Sequence, residues 1–129
     1  MFVLGNFTGA SGKMLPWKIE CDDLTSGDWE CIASACVKHL PKFSDVWGVP
    51  RGGIIFADVL QKYRYKGPPN VVGLPVLIVD DVWTTGGSMT KFAEETIGLR
   101  PGQWIGLVAF ARTHVLPENV KAFLKWGME

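Results

Sequence analysis

Residues 76–88 read Val-Leu-Ile-Val-Asp-Asp-Val-Trp-Thr-Thr-Gly-Gly-Ser, and no other stretch restricts the possible folds so tightly. Four consecutive apolar residues suit a strand covered on both faces, which is the condition of a strand inside a parallel sheet. Asp80 and Asp81 follow where that strand should end. Thr84, Thr85, Gly86, Gly87 and Ser88 then form a small hydroxylated turn directly before a segment of helical periodicity. A strand end, such a turn and a helix start gather backbone N–H groups and the positive end of a helix dipole, while glycine lets the main chain approach an anion closely. Two carboxylates beside an anion site repel it unless the ligand also carries hydroxyls. A sugar phosphate satisfies both halves, with its phosphate in the turn and its hydroxyls donating to the acids. An ordinary strand–turn–helix junction explains the apolar run and the glycines but not the adjacent acids.

The remainder of the chain alternates in the same way. Residues 25–40 form a helix that Thr25 or Ser26 can cap, with Trp29, Ile32, Ala33, Cys36, Val37 and Leu40 on one face and Pro41 beyond its end. A short strand at 45–48 leads through Pro50-Arg51-Gly52-Gly53 into a helix reaching about Tyr63. After the central stretch, residues 89–99 are expected to be helical, with Phe92, Ala93, Thr96 and Ile97 inward. A strand over 104–110 then ends near Arg112. Val115, Leu116, Val120, Phe123, Leu124 and Trp126 are expected to complete the packing. Alternating strands and helices predict an α/β fold, a doubly wound and mostly parallel sheet, in one domain spanning 1–129. Parallel strands carry ligands at their C-terminal ends, so Arg112 should look into the crevice that holds Asp81.

Composition narrows the function classes. With 129 residues, 13 basic and 13 acidic, the chain shows neither the basic excess of a general nucleic-acid surface nor a polybasic membrane patch. No apolar run approaches the roughly 20 residues of a spanning helix, and no secretory pattern is expected at the N-terminus. Cys21, Cys31 and Cys36 make no Cys-x-x-Cys pair and read as reduced thiols of a cytoplasmic protein. Gly12-Lys13 lacks the spacing of a phosphate-binding P-loop, since Phe7 stands where its first glycine belongs and Met14 follows the lysine.

The stretch 76–88 resembles the 5-phosphoribosyl 1-pyrophosphate (PRPP) motif of the type I phosphoribosyltransferases: an apolar run, two acids, two variable residues, then Thr-Thr-Gly-Gly-Ser. Pro50, Arg51, Gly52 and Gly53, about thirty residues earlier at the end of another strand, resemble that family's pyrophosphate loop, which in many members holds a cis peptide. Gly5-Asn6-Phe7-Thr8, Ser11-Gly12-Lys13, Pro16-Trp17 and Ile19 look like the N-terminal hood of orotate phosphoribosyltransferases, although Ala10 replaces a lysine found in some members and Lys18 an aromatic.

The resemblance implies a hood over residues 1–21 on a core of 22–129, and transfer of a phosphoribosyl group from PRPP to a base with release of pyrophosphate. It implies Mg²⁺ held by the diphosphate and water near Asp80 and Asp81 rather than by direct protein ligation, and a homodimer. It places the 5′-phosphate on residues 84–88, the ribose on Asp80 and Asp81, the pyrophosphate on residues 50–53, and the base near Lys13, Lys18, Ile19 and Arg112. Six-oxopurine enzymes of the family carry an aspartate where Thr84 stands, so Thr84, Arg112 and the hood favour orotate.

Residues 64–75 depart from the pattern. Orotate enzymes have a strand and a long cationic lid there, whereas this chain has about a dozen residues and only Arg64 and Lys66 to reach the diphosphate. Two other readings stay open: a non-catalytic binder of PRPP or a nucleotide, and a phospho-receiver-like acidic pocket. The last would place its acids on an early strand and a lysine on a late one, and has no use for Thr-Thr-Gly-Gly-Ser.

Overall fold

A computed structural model describes residues 2–8, 14–19, 24–113 and 115–125. Strands β1 (Phe2–Thr8) and β2 (Met14–Ile19) pair antiparallel as a hairpin, with a register shift between Leu4 and Phe7. The described part of the segment that resembles a hood is thus a two-stranded hairpin. Lys13 lies outside the described residues. Lys18 and Ile19 end β2, opposite Val3 and Phe2.

Helix α1 (Ser26–Val37) begins at a reciprocal capping box: Asp28 N–H donates to the Thr25 hydroxyl at 3.1 Å, and Thr25 N–H donates to the Asp28 carboxylate at 2.9 Å. Its buried residues are Trp29, Ile32, Ala33 and Cys36, the face read from the sequence. Burial pushes the Cys36 thiol up to about 11, which keeps it protonated and unreactive.

Four parallel strands follow in chain order across one sheet: β3 (Asp45–Gly48), β4 (Val76–Trp83), β5 (Trp104–Ala111) and β6 (Val120–Lys125). Helix α2 (Ile54–Leu60), extended by a 3₁₀ turn through Tyr63, joins β3 to β4. Helix α3 (Gly87–Lys91), continued by a π turn over Phe92–Thr96, joins β4 to β5. Leu77, Val79, Leu107 and Ala109 pack against α1 and α2 on one face, and Ile78 and Val108 pack with Met89 of α3 and Ala93 of the π turn on the other. Both faces of the central strands are covered, which is why β4 and β5 read as continuous apolar runs.

Two expectations are corrected. Thr96 is exposed, because the helix after the central stretch widens into a π turn and carries it out of the apolar stripe. Residues 120–125 form a fourth parallel strand, and at this sheet edge Phe123 and Leu124 are exposed, as is Val115 before it. Trp126 and His114 lie outside the described residues.

The connections carry a topological irregularity. The steps from β3 to β4 and from β4 to β5 advance in the same direction, yet α2 and α3 lie on opposite faces. Such steps have opposite hands, against a preference for right-handed crossovers of about 98%. A strand outside β3, visited between α2 and β4, would give both crossovers the usual hand. Residues 64–75 form no strand. They are tied down ahead of β3 instead, by Tyr65 N–H to Phe43 O at 2.9 Å and Ser44 N–H to Pro75 O at 3.0 Å.

Candidate functional site

The two sequence motifs converge at the C-terminal end of the sheet. β3 stops at Gly48, in register with Val79, and Val49 N–H then donates to Val79 O at 2.8 Å. Gly53 N–H closes back onto Val49 O at 2.8 Å and Ile54 N–H onto Arg51 O at 3.3 Å, so residues 49–54 form a tight loop against the level where Asp80 begins. The Pro50–Arg51 peptide in this loop is cis. Arg51 and Gly52 are exposed and Gly53 is buried. A Cβ on Gly52 would lie 2.3 Å from an Asp81 carboxylate oxygen, and one on Gly53 would lie 2.4 Å from Val79 O. The loop's main chain is therefore in direct contact with the second acid, and only glycine allows that approach.

Asp80 and Asp81 belong to β4 itself, which runs four residues further than the apolar run suggests. They sit where the strand's alternation changes phase. Val79 and Val82 both pack toward α1 and α2, while Trp83 packs on the opposite face, so neither acid is needed in either core. Asp81 N–H donates to Asp80 Oδ1 and Val82 N–H to Asp81 Oδ1, each at 2.8 Å, and these bonds hold both carboxyls close to the backbone. Desolvation by burial, together with a side-chain hydrogen bond and the like charge of Asp81, pushes Asp80 up to about 8.

This shift sets the direction of a pH effect. With its folded pKa raised above the ordinary carboxylate value, Asp80 holds a proton in the folded protein that the unfolded chain has released. Stability is then fully present below about pH 4 and is lost as pH rises toward 8. Asp80→Asn should flatten that decline. At pH 8 it should raise stability on the order of 2 kcal/mol, since water still screens part of the carboxyl. Melting temperatures of both proteins at pH 5 and pH 8 check this, and parallel pH profiles would refute it.

Residues 84–86 bend away from β4, and Gly86 takes a left-handed conformation with φ +84° immediately before α3. It is the residue before the helix, the place expected for Ser88, which lies inside the helix instead. Thr84 is half-buried, while Thr85, Gly87 and Ser88 are exposed. Arg112 follows β5, half-buried, and its N–H donates to Trp83 O at 3.1 Å. The fold thus gathers the 50–53 loop, the acid pair, the 84–88 turn and Arg112 at one end of the sheet.

Arg64 and Lys66 do not join them, contrary to the role expected for them. The Arg64 guanidinium lies 3.8 Å from Asp45, the first residue of β3, and its Nε donates to Gln61 O at 3.2 Å. Asp45 pairs with Val76, four residues before Asp80, so Arg64 is anchored about 13 Å below the acids along the strand. Lys66 follows on the same loop, just past the Tyr65–Phe43 bond, and is exposed.

Trp83 fills a variable position of the motif, so the sequence gives it no role. Only 7% exposed, it belongs to one buried cluster with Val49, Met89 and Ala111, and its ring lies against Gly86 of the turn. The available signal was an aromatic residue three positions before the turn's first glycine.

Among the described residues no cluster of three or more His, Cys, Asp or Glu stands ready to hold a metal alone, and no helix is long and apolar enough to cross a membrane. Two carboxylates are nonetheless hard oxygen donors, suited to a cation that also draws ligands from phosphate and water.

No family model matches the sequence. An orotate phosphoribosyltransferase of Sulfurisphaera tokodaii is 30% identical over 116 residues, covering 73% of this chain and 59% of that enzyme. The corresponding enzyme of Sulfolobus acidocaldarius is 29% identical over 116 residues, again covering 59% of its length. The chain thus spans little more than half the length of the curated relatives it matches. Among solved structures, orotate phosphoribosyltransferase from Aeropyrum pernix superposes with a TM-score of 0.72 at 21% identity, over 96% of this chain and 87% of that one. The PRPP complex of the Mycobacterium tuberculosis enzyme gives 0.64 at 18% identity, over 92% and 86%. At such identities the structural likeness is one of fold.

Proposed function

We propose that the chain is a type I phosphoribosyltransferase, like the orotate phosphoribosyltransferases it resembles, and that it transfers the phosphoribosyl group of PRPP to a ring nitrogen of a base, orotate in the first instance. The observation that carries this reading is the contact between the Asp81 carboxylate and the Gly52 main chain, which joins a sugar-binding acid pair to a diphosphate loop.

In this reading the N–H groups and hydroxyls of residues 84–88 hold the 5′-phosphate, and Asp80 and Asp81 accept hydrogen bonds from the ribose hydroxyls. Arg51 and the Gly52 and Gly53 backbone receive the pyrophosphate, and Arg112 pairs with the base's carboxylate. Lys13, Lys18 and Ile19 of the hood segment would face the base from the other side. The reaction forms a bond from the base nitrogen to C1′ of the ribose while the bond from C1′ to the pyrophosphate oxygen breaks. The chain's residues position both reactants and stabilise charge on the departing diphosphate. Mg²⁺, when bound, neutralises diphosphate charge, and Asp80 and Asp81 are the residues that would hold it through water. Burial and mutual repulsion raise Asp80, a condition that a cation beside the pair relieves. A cytoplasmic homodimer completes the reading.

One observation favours a second reading, a regulatory protein that binds PRPP or a nucleotide without turnover. Arg64 is held by Asp45 at the far end of β3, and residues 64–75 supply neither strand nor lid over the site. A single assay separates the two: protein, PRPP and Mg²⁺ mixed with orotate, uracil, adenine, hypoxanthine or xanthine, following pyrophosphate. Release with orotate alone is the expected result. PRPP binding without release with any base favours the regulatory reading, and failure to bind either PRPP or a nucleoside monophosphate rejects both.

A further inference from the structure

Trp83 is the last residue of β4 and opens directly onto the turn that would hold the 5′-phosphate. A Cβ built on Gly86 would lie 2.2 Å from both Cη2 and Cζ2 of its indole, so the six-membered ring fills the space beside the Gly86 Cα. Gly86 is also the turn's one residue with positive φ, +84°. Trp83 is buried in one cluster with Val49, Met89, Val108 and Ala111, and its backbone carbonyl accepts from Arg112 N–H. A rigid aromatic plate thus backs the single residue whose left-handed conformation aims the following N–H groups.

We propose that Trp83 is a positioning residue. Its indole seats the 84–88 turn, so it governs affinity for the phosphorylated ribose without touching the ligand. This rests on the phosphoribosyl reading above. It goes beyond that reading by assigning a role to a side chain that the motif leaves free to vary.

A second tryptophan supplies the control. Trp104 lies in the same cluster, is buried to a similar degree, and donates its indole N–H to Glu94 at 3.2 Å, but it does not border Gly86. Both positions should cost stability on truncation, and only one should cost affinity. Titration calorimetry with ribose 5-phosphate on the intact chain is expected to show Trp83→Leu binding about tenfold more weakly, and Trp104→Leu within about twofold of the parent. Trp83→Leu should also soften the penalty of Gly86→Ala, because the added methyl meets no ring, so the two losses combine less than additively. If Trp83→Leu does not fold, Trp83→Phe carries the test. Its shorter ring withdraws from Gly86 and should weaken binding about threefold. Parent-like affinity in the Trp83 variant that folds, or an equal loss in Trp104→Leu, overturns the proposal while the phosphoribosyl reading stands. An unmodified chain that ignores ribose 5-phosphate overturns both.

Discussion

Replacing Gly53 with alanine is expected to destabilise the protein by about 3 kcal/mol, the upper range for overpacking a closed site, and to lower its melting temperature on the order of 10 °C. The added methyl would meet Val79 O at 2.4 Å, Val49 N at 2.8 Å and Val49 O at 3.0 Å. All three are backbone atoms, so no side chain can turn aside. Two of these groups bond each other, and the third accepts from Gly53 itself. Relief of the clash must therefore break the tie between the 49–54 loop and β4. Thermal unfolding followed by circular dichroism checks the number. A shift below about 3 °C, worth under 1 kcal/mol, would mean that the loop is not clamped as described.

Asp81→Asn is expected to act on the ligand rather than on the fold. The amide is nearly isosteric, its oxygen can still accept from Val82 N–H, and contact with Gly52 is retained. What is lost is the negative charge behind hydrogen bonds to ribose hydroxyls. Hydrogen bonds to charged groups contribute about 1.5–3 kcal/mol, so PRPP affinity should fall by about 10- to 100-fold, with little change in melting temperature. Calorimetric titration of PRPP against both proteins measures this directly. Equal affinities would remove the carboxylate from the ribose and, with it, the strongest reason for two adjacent acids at this strand.

Much of the architecture was legible in the residue order because it rests on local rules. The apolar face of α1, its Thr25 cap, the bounds of β3 and the helix reaching Tyr63 all follow from periodicity and short-range hydrogen bonding. The acid pair, the two glycine-bearing loops and Arg112 were likewise visible as candidates, and the fold brings them to one end of the sheet. The misplacements share a cause. The apolar pattern points Thr96 and Phe123 inward, but a π turn and a sheet edge expose them, and neither feature has a local signature. Arg64 is expected at the site because it stands in the segment where orotate enzymes carry a cationic lid. Its partner Asp45, 19 positions away, drew it to the opposite end of β3.

By itself, then, the order of residues determined that strands and helices alternate, that the central strands are buried on both faces, and that an acid pair and a glycine-bearing turn stand between the β4 apolar run and the next helix. Tertiary structure alone decided which groups meet: Gly52 against Asp81, Trp83 behind Gly86, Arg64 on Asp45, and α2 and α3 on opposite faces despite strands laid down in chain order. The division is physical. Backbone geometry and apolar periodicity act over a few residues and can be read in line. Close packing and crossover handedness depend on where distant segments come to rest, which no local pattern specifies.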